Sequence, residues 1–210
     1  MKLIFWNVDT QFDFIDSTGK LYVQGAETII PALGELTEIA KAKSIFVVNT
    51  ADYHQLSSAE LSANPDYQNT FPPHCIAKTP GAEFIPETNP ENPFIIDWDK
   101  NYNREELETG LKNARNIVIR KDAFDVFKGN KNTDSVIEFL APEMVVIYGV
   151  TTNVCVNDAV AGLAERVKRV VVIADAIKEL PNLPLPFNQW SQLGVELKSL
   201  ADLKNLLNQI

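Results

Sequence analysis

Cysteine and histidine are scarce in this chain, with two of each among 210 residues. Cys75 and Cys155 allow one disulfide at most, too few for a disulfide framework, and usage this sparse favours free thiols. No stretch approaches the ~20 consecutive apolar residues of a membrane span. The N-terminal apolar run, Leu3–Val8, is too short for a secretory segment and runs into Asp9. A cytoplasmic location and no membrane partner are therefore expected. Positive charge is not in excess either. A formal charge of −9 repels phosphate backbones, which argues against nucleic acid as a partner. Internal repeats and low-complexity tracts are also missing. What remains is a chain of ordinary apolar content, long enough to bury roughly 70% of its unfolded surface.

Five apolar, β-branched runs stand out: Leu3–Val8, Ser44–Thr50, Asn116–Lys121, Met144–Val150 and Arg169–Asp175, with a weaker sixth at Val195–Leu200. They are nearly continuous rather than alternating, as in strands covered on both sheet faces. Helical patterns lie between them. Thr28–Lys43 carries Ile29, Leu33, Leu36, Ile39 and Ala40 at helical spacing. Asn103–Asn113 opens with an Asn103/Glu106 capping-box pair, and Thr133–Leu140 opens on an N-cap residue type. After Cys155, the residues Val156, Ala159, Val160, Leu163, Ala164 and Val167 form a stripe. This alternation predicts a three-layer α/β/α fold with a mainly parallel, roughly six-stranded sheet. Residues 1–210 are expected to form one domain. Within it, residues 56–101 are rich in Pro, Asn, Asp and Glu and lack a long periodic run. Such a stretch in a compact domain is more often functional than idle, so a loop-rich excursion over the active face is expected. A second Pro-rich break lies at Leu180–Pro186.

The strand ends carry the chemistry. Asp9 ends the first run, Asp52 and His54 follow the second, Lys121 ends the third, and Cys155 follows the fourth after a short turn. In a parallel sheet these positions share the carboxyl edge, where open α/β folds build their sites. Each residue alone has a plainer explanation: a solvated Asp or Lys, or a Cys used as a small apolar filler. Together they place a nucleophile, a carboxylate and a cation on one edge, and that coincidence outweighs the separate explanations. Cys155 should sit near a helix N-terminus, where the dipole and unpaired N–H groups favour thiolate and can bind an oxyanion.

The two histidines point to a metal. Asp52-x-His54 sets two ligand types on one side of an extended segment. His74 follows twenty residues later, within Phe71-Pro72-Pro73-His74-Cys75. Two histidines and a carboxylate suit Zn²⁺, Fe²⁺ or Mn²⁺ in a site that admits water or substrate. Cys75, adjacent to His74, is assigned a structural role.

Four motifs stand in order along the chain. They are Val8-Asp9-Thr10-Gln11-Phe12-Asp13-Phe14; Ala51-Asp52-Tyr53-His54; Thr70-Phe71-Pro72-Pro73-His74-Cys75 with Thr79-Pro80-Gly81-Ala82-Glu83-Phe84; and Gly149-Val150-Thr151-Thr152-Asn153-Val154-Cys155-Val156. In these motifs, and in Lys121 with Phe124 and Phe127, the chain resembles the isochorismatase-like cysteine hydrolases, most of all their metal-bearing, nicotinamidase-like branch. The resemblance runs from Leu3 to about Lys178. It implies a Rossmann-like topology and a catalytic triad of Asp9, Lys121 and Cys155. It assigns Asp52, His54 and His74 to one divalent transition metal, zinc first and iron or manganese as alternatives, with Glu60 as a weaker candidate ligand. It also implies a cis Val150–Thr151 bond, with the N–H groups of Thr151 and Cys155 facing the oxyanion, and a substrate pocket formed by Phe14, Phe71 and Phe124.

The activity implied is metal-assisted hydrolysis of a small-molecule amide, nicotinamide to nicotinate and ammonia, through a thioester on Cys155. Another small amide or ureido substrate is the alternative, and a non-catalytic ligand-binding relative a more distant one. Association into a homo-oligomer is left open. Three features depart from the family pattern. Asn153 stands where nicotinamidases often carry Asp, Thr151 where a small residue is common, and the Pro-rich Leu180–Pro186 where relatives place a longer helix.

Overall fold

A computed structural model describes residues 2–209. The strands are β1 (Leu3–Val8), β2 (Phe46–Asp52), β3 (Phe94–Ile96), β4 (Asn116–Lys121), β5 (Met144–Val150), β6 (Arg169–Lys178) and β7 (Glu196–Lys198). The helices are α1 (Phe12–Ile15), α2 (Ile30–Ala42), α3 (Arg104–Asn113), α4 (Val126–Gly129), α5 (Thr133–Leu140), α6 (Cys155–Ala164), α7 (Phe187–Gln192) and α8 (Leu200–Leu207). Every strand pairing is parallel, in the order β3-β4-β2-β1-β5-β6-β7.

The continuous apolar strands have the physical cause expected of them: both sheet faces are covered. Ile4, Trp6 and Val8 of β1 pack into the layer of α3, α5 and α6, whereas Phe5 packs into that of α1, α2 and α8. Val160 and Leu163 of α6 are fully buried, each contributing about 1.5–3 kcal/mol of hydrophobic stabilisation. The capping box of α3 forms as expected, with the Glu106 N–H donating to Asn103 Oδ1 at 2.9 Å and the Asn103 N–H to Glu106 Oε2 at 2.8 Å.

Boundaries differ where local chemistry intervenes. Ser44 adopts φ 53°, so the chain turns there and β2 begins at Phe46. Thr133 does not cap α5. Its hydroxyl donates to the carbonyls of Val126 and Asn130 instead, and Asn132 holds the cap position.

The sheet also has one strand more than the six expected. β3 lies inside the 56–101 stretch and extends the sheet beyond β4. Its three residues, between Pro93 and Asp97, are too short to show a period, and pairing with β4 makes them a strand. The rest of that stretch is held by short 3₁₀ turns at 80–82 and 86–88 and by isolated bridges such as His54 to Ile76 and Leu61 to Phe71. Among the described residues no helix is long and apolar enough to cross a membrane.

Candidate active site

Sheet order decides which strand ends meet. β4, β2, β1 and β5 are consecutive neighbours, so Lys121, Asp52, Asp9 and Cys155 arrive side by side at one carboxyl edge. Asp52 and Lys121 are direct partners in the β2/β4 register. The connection direction reverses between β1 and β5, the kind of switch point where open α/β sheets form crevices. Gly149 is required there. It has φ 118°, and a Cβ would lie 2.0 Å from the Val8 carbonyl oxygen.

Lys121 sits among three groups. Its Nζ lies 3.0 Å from Asp9 Oδ2 and 3.9 Å from Cys155 Sγ, and it forms an ion pair with Asp52 Oδ1. The second oxygen of Asp9 accepts from Thr50 Oγ1 at 2.6 Å. All of these side chains are buried. Burial works against the charged form of Lys121, but Asp52 and then Asp9 overcome it and hold its pKa well above the ordinary value. Burial pushes the Asp9 carboxyl up, against the attraction of Lys121. Burial also pushes the Cys155 thiol well up, against the same lysine. Burial thus works against the thiolate that the helix start and Lys121 favour.

Cys155 opens α6. The Val156 N–H donates to the Thr151 carbonyl at 3.0 Å, and the Thr152 N–H to the Lys178 carbonyl at 2.9 Å. Among the described residues, the N–H groups of Thr151 and Cys155 make no such bond, and the Val150–Thr151 peptide is cis. The Thr151 hydroxyl is likewise buried without a partner.

Beside this group lies a second cluster. Asp52, His54, Glu60 and His74 are all buried, with one ligand atom from each within 4.8 Å of all the others. Asp52 Oδ2 lies 3.8 Å from His54 Nε2 and 3.5 Å from His74 Nε2, and Glu60 Oε1 lies 4.0 Å from each ring. Ligands ~2.0–2.2 Å from a tetrahedral zinc stand about 3.3–3.6 Å apart, so a small contraction would seat an ion. Asp52 Oδ2 and His54 Nε2 are buried without hydrogen-bond partners, as expected of atoms meant for a metal.

The outer nitrogens are already engaged. His54 Nδ1 lies 3.1 Å from Asp122 Oδ1, and His74 Nδ1 lies 2.7 Å from the Pro72 carbonyl, which leaves each Nε2 facing the cluster. Asp122 Oδ1 also accepts from Ser58 Oγ, and Glu60 Oε2 accepts from the Phe124 N–H at 2.7 Å. Asp52 therefore serves both clusters, one oxygen toward Lys121 and the other toward the histidines. Burial would raise its pKa, but Lys121 and the two imidazoles hold it well below the usual carboxylate range.

Cys155 of the first group and Asp52, Glu60 and His74 of the second line one small cavity. Phe14, Phe71 and Phe124 line it together with Leu21, Val154 and Leu180, above Cys155 and Thr151. Residues without an assigned role in the sequence hold this arrangement. The Gln11 carboxamide donates to the Asp52 and Ala82 carbonyls and accepts the Asp52 N–H, each at 2.8 Å. Asp13 accepts from the N–H groups of Lys20 at 3.0 Å and Cys75 at 2.7 Å, tying the Leu21 turn to the His74 loop. Gly81 packs against that carboxylate so closely that a Cβ would lie 2.2 Å from it. Both residues stand inside a quoted motif, but pattern alone attaches no function to them. Cys75 is a buried free thiol, in keeping with a structural role.

The fold and this edge define a three-layer α/β protein with an Asp–Lys–Cys group next to a potential metal cluster. Residues 98–184 match the isochorismatase domain family. A 79-residue stretch, 38% of this chain, is 39% identical to the nicotinamidase/pyrazinamidase of Mycobacterium tuberculosis (strain ATCC 25618 / H37Rv), and it spans 41% of that relative's length. The fold is shared with N-carbamoylsarcosine amidase from Thermoplasma acidophilum at a TM-score of 0.71 and 21% identity, over 95% of this chain and 96% of that one. It is also shared with the pyrazinamidase of Pyrococcus horikoshii in complex with zinc, at a TM-score of 0.68 and 22% identity, over 95% of this chain and 99% of that one. The family match covers residues 98–184, less than half of this chain, and the solved structures share its fold.

Proposed function

We propose that this chain is a metal-assisted cysteine amidohydrolase whose preferred substrate is nicotinamide or a close pyridine- or pyrazine-type carboxamide. The observation that carries the reading is that Cys155, backed by Lys121 and Asp9, and the Asp52/His54/Glu60/His74 cluster meet at one small cavity, lined by Cys155, Asp52, Glu60 and His74. Its aromatic walls suit a flat ring. The partial match to a nicotinamidase/pyrazinamidase and the shared fold of two amidases support the same chemistry.

In this reading Asp9 takes the thiol proton as Cys155 Sγ bonds to the amide carbon, and the N–H groups of Thr151 and Cys155 hold the oxyanion. Asp9 returns the proton to nitrogen as the C–N bond breaks and ammonia leaves. Water, deprotonated by Asp9, then attacks the thioester. The C–S bond breaks, and the thiol regains its proton from Asp9. Lys121 keeps Asp9 oriented and offsets the negative charge of the pair. Asp52, His54, Glu60 and His74 would hold a divalent metal, which when bound supplies an electrophilic contact for the ring nitrogen and so orients the substrate. Two nitrogen and two oxygen donors suit zinc, with iron or manganese accommodated by the same set.

The test is ammonia release from nicotinamide, pyrazinamide, N-carbamoylsarcosine and an aliphatic amide, before and after chelation. Nicotinamide and pyrazinamide should lead the panel, and chelation should cut their turnover. A preference for the carbamoyl compound would move the assignment to a ureido substrate, and inactivity on the whole panel would sink the amidase reading.

Asp122 gives a separate check on the metal. Asp122→Ala removes the partner that orients His54, and zinc affinity is expected to fall about 10–100-fold. Competition against a chromogenic chelator measures this. Unchanged affinity would mean that His54 is not a ligand.

A further inference from the structure

The cavity over Cys155 holds only about 10 Å³ of accessible space. That is roughly room for one water, whereas small-molecule pockets usually run to ~300–1,000 Å³. A ring-bearing amide does not fit in the cavity as it stands in this structure. Phe14 and Phe71 are fixed in the interior, at 2% and 3% exposure. Leu180 belongs to a different kind of wall.

Residues 180–186 form a strap with anchored ends. At one end the Lys178 carbonyl accepts from the Thr152 N–H; at the other the Pro186 carbonyl accepts from the Trp190 N–H at 3.0 Å, and Trp190 is itself buried. Between those ends, among the described residues, the hydrogen bonds made by 180–185 all go to one side chain. Asn153 Nδ2 donates to the carbonyls of Leu180 at 2.9 Å and Leu183 at 3.3 Å, and Asn153 Oδ1 accepts the Leu180 N–H at 3.0 Å. Pro181, Pro184 and Pro186 have no N–H with which to build a ladder, and their fixed φ makes the strap stiff. It therefore moves as a body or not at all. A carboxamide suits this latch because its NH₂ can donate twice while its oxygen accepts, whereas a hydroxyl has only one donor. An aspartate would keep the bond from the Leu180 N–H but would set a charge against two carbonyl oxygens.

We infer that the 180–186 strap is the gate through which substrate reaches Cys155, and that Asn153 is the positioning residue whose carboxamide latches it shut with Leu180 in the cavity wall. The consequence for turnover rests on the function proposed above; the gate itself can be read at the thiol without any amide.

The experiment is labelling of the full-length, metal-loaded protein with iodoacetamide and with the bulkier N-phenylmaleimide, resolved by peptide mass spectrometry. Cys75, fully buried and bonded to Asp13 and Gly81 rather than to the strap, is the internal control. Asn153→Ala should speed labelling of Cys155 by about tenfold or more, since it removes three hydrogen bonds. The gain should be larger for the maleimide, a ratio that a change in thiol acidity would leave alone. Exchange of the Leu180 amide hydrogen should accelerate in step, and Cys75 should not change. Asn153→Asp should show the same effects to a smaller degree, and it stands in if the alanine variant does not fold. The gate is overturned if Leu180 exchange and the labelling ratio stay at wild-type values in the folded variant, or if wild-type Cys155 already reacts like an open thiol. Correct gating in a protein that hydrolyses no amide would overturn the proposed function alone, and amide hydrolysis with unaltered labelling would overturn the gate alone.

Discussion

Cys155→Ala is expected to lose ammonia release from nicotinamide by a factor on the order of 10⁴–10⁶ in kcat, the scale seen when a catalytic nucleophile is removed. Fold and metal content should be retained, because the substitution removes one sulfur at the start of α6 and leaves the Asp52/His54/Glu60/His74 cluster untouched. Stopped assays under substrate saturation, with zinc measured on the same sample, separate loss of chemistry from loss of metal. Cys155→Ser is expected to be nearly as impaired. Burial already holds the thiol well above its usual pKa, and an alcohol in its place would be harder still for Asp9 to deprotonate. A Cys155→Ala protein that kept even about a hundredth of the wild-type rate would remove Cys155 from the role of nucleophile.

Lys121→Met should cost both activity and stability, and the second effect discriminates better. Asp9 and Asp52 are buried and share one ammonium. Removing it leaves carboxylates uncompensated in the interior, a situation that typically destabilises by about 3–5 kcal/mol. For a chain of this size that is a fall in Tm on the order of 10 °C, measured by calorimetry on metal-free protein. Adding Asp9→Asn should recover much of the lost stability, because one of the unpaired charges is gone, and should recover no activity, because the base is gone as well. If the double variant is as unstable as Lys121→Met alone, Asp9 and Lys121 are not coupled as the geometry indicates. The same cycle built with Asp52→Asn tests whether the shared carboxylate transmits metal binding to the lysine. In that case zinc should stabilise Lys121→Met more than it stabilises the wild type, by offsetting the charge on Asp52.

What the sequence alone determined was the architecture and which polar residues stand at the strand ends. Apolar runs such as Leu3–Val8 and Met144–Val150 announce strands buried on both faces, because such strands have no polar side to show. The interleaved helical stripes then force a parallel sheet. Asp9, Asp52, Lys121 and Cys155 were legible because each follows or ends such a run. The polar residue after an apolar strand stays at one edge whatever the order of the strands.

That order itself was decided in three dimensions. It places β1 between β2 and β5, and so brings Asp9 between Lys121 and Cys155. β3 stayed hidden, because three residues have no period and become a strand only against β4. The roles of Gln11, Asp13 and Asn153 were hidden for a similar reason. Each acts through hydrogen bonds to backbone far along the chain, at Asp52, Cys75 and Leu180, and a backbone carbonyl or N–H leaves no mark in the residue letters. The surroundings of the Cys155 thiol were decided in the same way. Its place at a helix start was readable from the sequence, but its burial depends on residues from several elements closing around it. Desolvation then pushes the thiol pKa up, against the helix end and Lys121.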